Sequence, residues 1–226
     1  MIKKDNQTIG AVYKGSTPIR KIYKGNVLVW ERELPYGYTQ VDYIESTGTQ
    51  YIDSGISIND KDFKISCDFE QTQRFSSTEQ ALFSIWTSTY NYWNCFTVGA
   101  DIRVYTSAHH PIEGVITTGN RGKVVVEKNS SSWKLNYENQ NIQWYYTPSV
   151  VNPTTLKIFT RGDVPSQGSS NTHIKMYSLM VEISGTKKAD FIPCYRNSDN
   201  EVGMYDLVTN TFYTNAGTGT FIPGNE

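Results

Sequence analysis

Asp68 and Glu70 stand two residues apart in Phe63-Lys64-Ile65-Ser66-Cys67-Asp68-Phe69-Glu70, where every second residue is apolar. On an extended chain that spacing puts both carboxyls on one face. Two carboxyls about 5–5.5 Å apart would suit a retaining glycosidase. The same face carries Lys64 and Ser66, which is the pattern of a solvated strand face, so no catalytic residue is assigned and the chain reads as a non-enzyme. His109-His110-Pro111 is the other conspicuous group. Adjacent residues on an extended chain point to opposite sides, so the two imidazoles do not share a metal, and a surface role fits them better. Arg161-Gly162-Asp163 spells an adhesion tripeptide but reads as a chance string.

Binding is better served by aromatics. In Trp86-Thr87-Ser88-Thr89-Tyr90-Asn91-Tyr92-Trp93-Asn94, the interleaved Ser, Thr and Asn suggest a loop presenting Tyr90, Tyr92 and Trp93. Ring faces stack on sugar C–H surfaces, and neighbouring amides bond hydroxyls. Trp144 and Tyr145, in Gln143-Trp144-Tyr145-Tyr146, form a second candidate. Both strings read equally as a roof on the core or a subunit interface, where Tyr and Trp are also enriched.

The totals set the frame. The chain has 226 residues and a net charge of -1, which excludes a dominant electrostatic partner such as nucleic acid. No apolar run approaches the ~20 residues of a membrane helix, and no apolar stretch of a signal peptide follows Met1-Ile2-Lys3-Lys4-Asp5-Asn6. Three widely spaced cysteines, Cys67, Cys95 and Cys194, suit neither a disulfide framework nor a zinc site; they fit a reducing compartment during folding.

These residues must be positioned by strands. Helical periodicity is nearly absent, and alternation is frequent. Strands are expected at 63–69, 81–86, 124–128, 133–137, 155–159 and 174–183, with a hairpin turn at 129–132. Tyr51-Ile52 reads as a short strand between Gly48 and Gly55, and 205–213 as a hairpin turning at 208–210. Irregular segments are expected at 87–93, 106–121, 138–153 and 161–172. A boundary near Glu31–Pro35 separates residues 1–33 from residues 34–226. In the first part Tyr-Lys-Gly recurs at Tyr13 and Tyr23, and Gly15-Ser16 and Gly25-Asn26 suit two-residue turns. The expected product is a three-stranded meander (Val12-Tyr13, Ile19 to Tyr23, Val27 to Trp30), too small to be stable alone. Tyr13, Tyr23, Val27, Val29 and Trp30 are its expected attachment surface toward a partner; the alternative is an added edge on the main domain.

From Leu34 the chain resembles a known family. "LPYGYTQVDYIESTGTQYIDSGI" is similar to the opening of concanavalin A-like (laminin G-like) jelly-roll domains from proteins of gut-bacterial phages, prophages and their hosts. The same proteins close with strings like Asp190–Arg196, Val202–Leu207, Phe212–Asn215 and Gly217–Phe221 here. The opening repeat is similar to segments of Bacteroides-type phage structural proteins. The resemblance implies an all-β, two-sheet antiparallel β-sandwich whose first and last strands lie close together. It further implies a non-enzymatic virion protein, for capsid decoration or tail-associated adhesion, exposed on the particle and made in the host cytoplasm. Expected partners are other virion proteins, further copies of the chain in an oligomer, and a cell-surface glycan. The competing reading is a bacterial carbohydrate-binding protein, and the third a glycoside hydrolase, although the Glu-x-Asp-x-Glu string of such enzymes is absent. No cofactor is expected. Calcium stays open, because laminin G-like domains hold it on rim loops and Asp53, Asp60, Asp62, Asp101 and Asp163 are available.

Overall fold

A computed structural model describes residues 3–4, 7–8, 12–14, 17–19, 21–31, 34–58, 62–88, 91–147, 155–161 and 172–225. The chain divides into two compact units, Met1–Tyr38 and Thr39–Glu226. No helix occurs among the described residues.

The first unit is a series of short hairpins. Strand β1 (Lys3–Lys4) pairs with β2 (Gln7–Thr8), β3 (Val12–Lys14) with β4 (Thr17–Ile19), and β5 (Lys21–Lys24) with β6 (Val27–Glu31). The expected turns are in register: Lys14 faces Thr17 and Lys24 faces Val27. Gly25 takes a φ of 62°, which glycine adopts without strain. Within the described residues Ile19 pairs with Val12, and Lys21 with Glu31; Arg20 between them lies outside the described residues. Pro18, opposite Tyr13, has no N–H to offer a second neighbour.

The second unit contains β7 (Tyr38–Gln40, which straddles the boundary), β8 (Ile44–Gly48), β9 (Ile52–Ser57), β10 (Phe63–Gln71), β11 (Gln80–Ser88), β12 (Asn91–Val98), β13 (Asp101–Tyr105) and β14 (His109–Ile112). It continues with β15 (Arg121–Asn129), β16 (Ser132–Tyr137), β17 (Gln140–Tyr145), β18 (Thr155–Ile158), β19 (Thr172–Ile183), β20 (Thr186–Arg196), β21 (Glu201–Asp206), β22 (Thr211–Thr214) and β23 (Ile222–Pro223). One sheet runs β17-β16-β15-β10-β19-β20-β21-β22, with β8 on β19 and β23 on β8. The other runs β14-β13-β12-β11-β18-β9. Pairing in both is antiparallel, so this is the expected two-sheet sandwich.

The core lies between the inner faces. Phe63, Ile65, Cys67 and Phe69 all point into it, as their alternation predicts. Trp133 is fully buried at its centre. Its ring meets Phe63 edge-on at 5.4 Å and Trp93 at 5.8 Å, and its indole N–H donates to the Tyr146 carbonyl at 3.0 Å. The β15–β16 hairpin turns at Ser130-Ser131 as predicted, with Ser130 at a φ of 55°. Three expected loops contain strands instead: 91–93 opens β12, 109–112 is β14, and 140–145 is β17. Tyr51-Ile52 also misses the extent of β9, which continues through Gly55 as a bulge; there Ser54 donates to the Leu156 carbonyl at 2.7 Å.

The two ends of the sandwich are tied together. Ile222 pairs with Glu45, and the Asp42 N–H donates to the Asn225 carbonyl at 2.9 Å. Gln50 ties Thr47 to the Thr220 carbonyl. The Asn215 amide oxygen accepts the Tyr51 and Gly217 N–H groups. Gly217 lies so near the Thr49 carbonyl that a Cβ would come within 2.1 Å of its oxygen. The opening and closing strings quoted above are therefore two halves of one closure, which explains why they go together.

Candidate functional site

One register row crosses every strand of the six-stranded sheet. Asp53 on β9 pairs with Lys157 on β18, Lys157 with Ser84 on β11, Ser84 with Asn94 on β12, Asn94 with Tyr105 on β13, and Tyr105 with His109 on β14. Cross-strand partners share a face. Their chain neighbours Ile52, Ile158, Phe83, Ile85, Trp93, Cys95 and Val104 belong to the core, so the row points outward. Five gaps of about 4.8 Å make it about 24 Å long. All six side chains are polar or carry a polar ring, inside strands that are otherwise mostly apolar.

The row is graded. At the β9 end, Lys157 pairs with Asp53 and donates to Thr155 at 3.0 Å, while Thr155 donates to Asp53 at 2.6 Å. Burial alone would raise the Asp53 pKa; hydrogen bonds from Lys157, Thr155 and the Gly55 N–H outweigh it and hold the carboxyl below its ordinary value. In the centre, Ser84 and Asn94 are buried, and Ser84 donates to the Thr160 carbonyl at 2.7 Å. The Asn94 amide oxygen is buried without a hydrogen-bond partner. Such an orphan costs about 1–3 kcal/mol and calls for a reason. At the β14 end, Tyr105 is half-buried and His109 exposed. Their rings meet edge-on at 5.0 Å, and His109 also touches Phe96 at 5.8 Å. Arg103, two residues from Tyr105 on the same face, is bonded to Asp101 at 2.6 Å.

The outer face of the other sheet is built differently. Lys134, Glu127, Lys64, Glu182 and Lys187 lie in register across β16, β15, β10, β19 and β20. Arg121, Glu70, Lys175 and Glu45 do so across β15, β10, β19 and β8. The charges alternate in sign along both rows, an arrangement that stabilises cross-strand pairs. Both Asp68 oxygens accept from the Nε–Nη2 edge of the Arg121 guanidinium, which also lies 4.0 Å over the Tyr177 ring. Glu70 accepts from Lys175 at 3.0 Å and from the Tyr177 hydroxyl at 2.7 Å. A cleft of about 350 Å³ at one end of the ladder is lined by Asp62, Lys64, Glu127, Lys128 and Glu182, residues of the same ladder and its neighbours.

The residues singled out from the sequence do not form one cluster. Trp93 lies inside the sandwich, stacked on Phe63 at 4.9 Å. Trp144 is also turned inward, stacked on His110 at 4.2 Å. Tyr145, its neighbour on β17, is 77% exposed on the opposite side. Tyr90 and the side chains of Tyr92, Tyr13 and Trp30 lie outside the described residues. Tyr23, Val27 and Val29 are exposed on the β5–β6 hairpin. His109 and His110 do face opposite ways, and burial, then the charge of His109, lowers the His110 pKa. The cysteines are free and buried; burial pushes the Cys194 thiol up to about 12, so it is no nucleophile at neutral pH. Among the described residues no three His, Cys, Asp or Glu side chains gather as a metal site. Asp60 and Asp163 lie outside the described residues. Sequence reading missed Ser84, Asn94, Lys157 and Tyr105. Their signal was a lone polar residue inside an apolar strand, as in Ala81-Leu82-Phe83-Ser84-Ile85 and Leu156-Lys157-Ile158.

No protein-family model and no curated protein sequence matches the chain. Solved structures do. A candidate carbohydrate binding protein from Bacteroides ovatus superposes with a TM-score of 0.57 at 10% identity, over 83% of this chain and 61% of that one. Domains LG4-5 of the mouse laminin α1 chain give 0.52 at 10%, over 89% of this chain and 51% of theirs. The CBM40 of Ruminococcus gnavus IT-sialidase, solved with α2,3 sialyllactose, gives 0.50 at 12%, over 63% of this chain and 90% of that module. This chain thus spans about three fifths of the first of these proteins and about half of the second. The shared element is the fold, a concanavalin A/laminin G-like jelly roll of the kind used by carbohydrate-binding modules. None of the three bears on a phage particle, on virion partners or on an oligomer.

Proposed function

We propose that this chain is a non-catalytic carbohydrate-binding module, the competing reading of the sequence above, and that its sugar lies on the outer face of the six-stranded sheet at the Tyr105–His109 end. The observation that carries this is the register row, with the half-buried Tyr105 ring and the exposed His109 ring at its open end. Half-exposed rings next to fixed polar groups suit a saccharide, which offers C–H faces and hydroxyl donors at once. The fold shared with carbohydrate-binding structures supports the same reading. Catalysis has no comparable support: Asp68 and Glu70 are each tied to cations of their own face. The test is a glycan array followed by calorimetry on the parent chain, Tyr105→Ala and His109→Ala. Both variants should keep the parental melting temperature and lose most of the affinity. A parent chain that binds no glycan, or variants that bind as well as the parent, would overturn the proposal.

A further inference from the structure

We infer that the cleft on the larger sheet is a second saccharide site, one that holds a sugar residue through its hydroxyls alone; the class of ligand, though not the place, rests on the glycan-binding reading above. The cleft, of about 350 Å³, lies where β10 begins between two hairpin tips. Its floor is the middle of the Lys134–Lys187 row: Glu127 on β15, Lys64 on β10 and Glu182 on β19, all half-buried. Its walls are Asn129 at the β15–β16 turn and Ser184-Gly185 at the β19–β20 turn. Asp62 ties both tips. Its carboxylate accepts the Ser130 N–H at 2.6 Å, and its carbonyl accepts the Ser184 N–H at 2.8 Å. The walls are therefore set before a ligand arrives, which lowers the cost of binding. Asp60 and Lys61, which precede Asp62, lie outside the described residues.

The floor differs from the Arg121 row of the same sheet. Asp68 and Glu70 are each paired with a cation. Among the described residues, no ion pair or side-chain hydrogen bond engages Lys64, Glu127 or Glu182. Lys187, the next cation in the row, is bonded to Asp190 at 3.1 Å, and Lys128 is buried and already engaged. The floor thus presents acceptor, donor and acceptor at the ~4.8 Å spacing of neighbouring strands. A hydroxyl donates to a carboxylate and accepts from an ammonium, so the hydroxyls of one sugar ring answer this sequence without bringing a charge. A cation is the competing occupant, because carboxylates outnumber the ammonium, but it leaves Lys64 unanswered. The Phe63 ring is turned into the core, so hydrogen bonds rather than stacking carry the affinity. This site and the Tyr105–His109 end lie on opposite sheets, so one chain holds two glycan strands at once.

The experiment follows the backbone amide NMR shifts of the full chain. Glucose, galactose, mannose, xylose and their oligosaccharides are titrated to about 50 mM, past the millimolar affinity expected of hydrogen bonds alone, with putrescine as a cation probe. The expected result is that a sugar shifts the amides of 62–64, 127–130 and 182–185 as a set, saturating separately from the set at 103–110. Lys64→Met and Glu182→Gln keep side-chain length and remove the charge. Each should weaken binding at the cleft at least about fivefold and leave the 103–110 set unchanged; the two cover the case in which one fails to fold. If sugars move only the 103–110 set, the second site falls and the proposed function stands. If they move only the cleft set, the Tyr105–His109 placement falls and this site stands. If neither set moves, both fall. Cleft shifts with putrescine and with no sugar would make it a cation site and overturn the inference.

Discussion

The two outer faces of the sandwich put polar residues on strands in opposite ways. On the larger sheet, lysines and glutamates alternate in register, and the charges meet within the face: Arg121 with Asp68, Lys175 with Glu70. The Arg121–Lys175 part of that face completes its bonding internally, whereas Lys64, Glu127 and Glu182 of the other row line the open cleft. On the six-stranded sheet the row changes character along its length, from an ion pair through a buried serine and asparagine to two half-open rings. It leaves one buried amide oxygen unanswered. A row closed by ion pairs is a structural clamp; a row that ends in open rings offers surface to a ligand.

Four experiments break or sharpen this contrast. The largest effect should come from neither face. Trp133→Ala empties the centre of the shared core and should cost about 3–5 kcal/mol in chemical denaturation, weakening both faces together. Next is Glu70→Ala, which leaves Lys175 and the Tyr177 hydroxyl without their acceptor. About 1–3 kcal/mol of stability should be lost, with glycan affinity unchanged; a change in affinity would mean that the clamp face also binds. Tyr105→Ala should do the reverse, with roughly tenfold weaker binding by calorimetry and a loss of stability under about 1 kcal/mol. A large drop in stability would class the row with the clamp.

The smallest effect concerns pH. Burial would raise the pKa of Asp53 and of Asp101, but the bonds from Lys157 and Thr155, and from Arg103 and the Gly114 N–H, lower both below the ordinary value of 3.8. A depressed carboxylate stabilises the fold above its unfolded pKa, and that contribution fades as pH falls through the folded value. The Asp53→Asn and Asp101→Asn proteins should therefore be slightly less stable than the parent above about pH 4. The gap should close at lower pH. A gap that stays constant in acid would show that these pairs do not titrate with folding.

Much of the scaffold was legible because one strand suffices to show it. The alternation of Phe63, Ile65, Cys67 and Phe69 needs only its own residues, and the β15–β16 hairpin needs only its turn. The terminal closure was legible through the resemblance of its two strings. The proposed binding face was not, because it comes from strands whose spatial order, β14-β13-β12-β11-β18-β9, differs from their chain order. Asn94 and Lys157 are far apart in sequence, and each looks like an isolated polar intrusion until Ser84 is placed between them. Trp93 misled for a related reason. Asn91 and Asn94 beside it suggested a loop, whereas Asn94 is the outward position of a strand whose inward positions are Trp93 and Cys95.

The seam joining Ile44 and Glu45 to Ile222 and Pro223 has a kinetic side. Residues from opposite ends of the domain must meet before that edge is sealed, and contacts of such sequence separation are the slow ones to form. On the ribosome, β8 emerges early and waits for β23 until nearly the whole domain has been made. During that interval the edge is open to pairing with other chains. The yield of soluble protein should therefore be governed less by final stability than by how quickly the last few residues find the first strands.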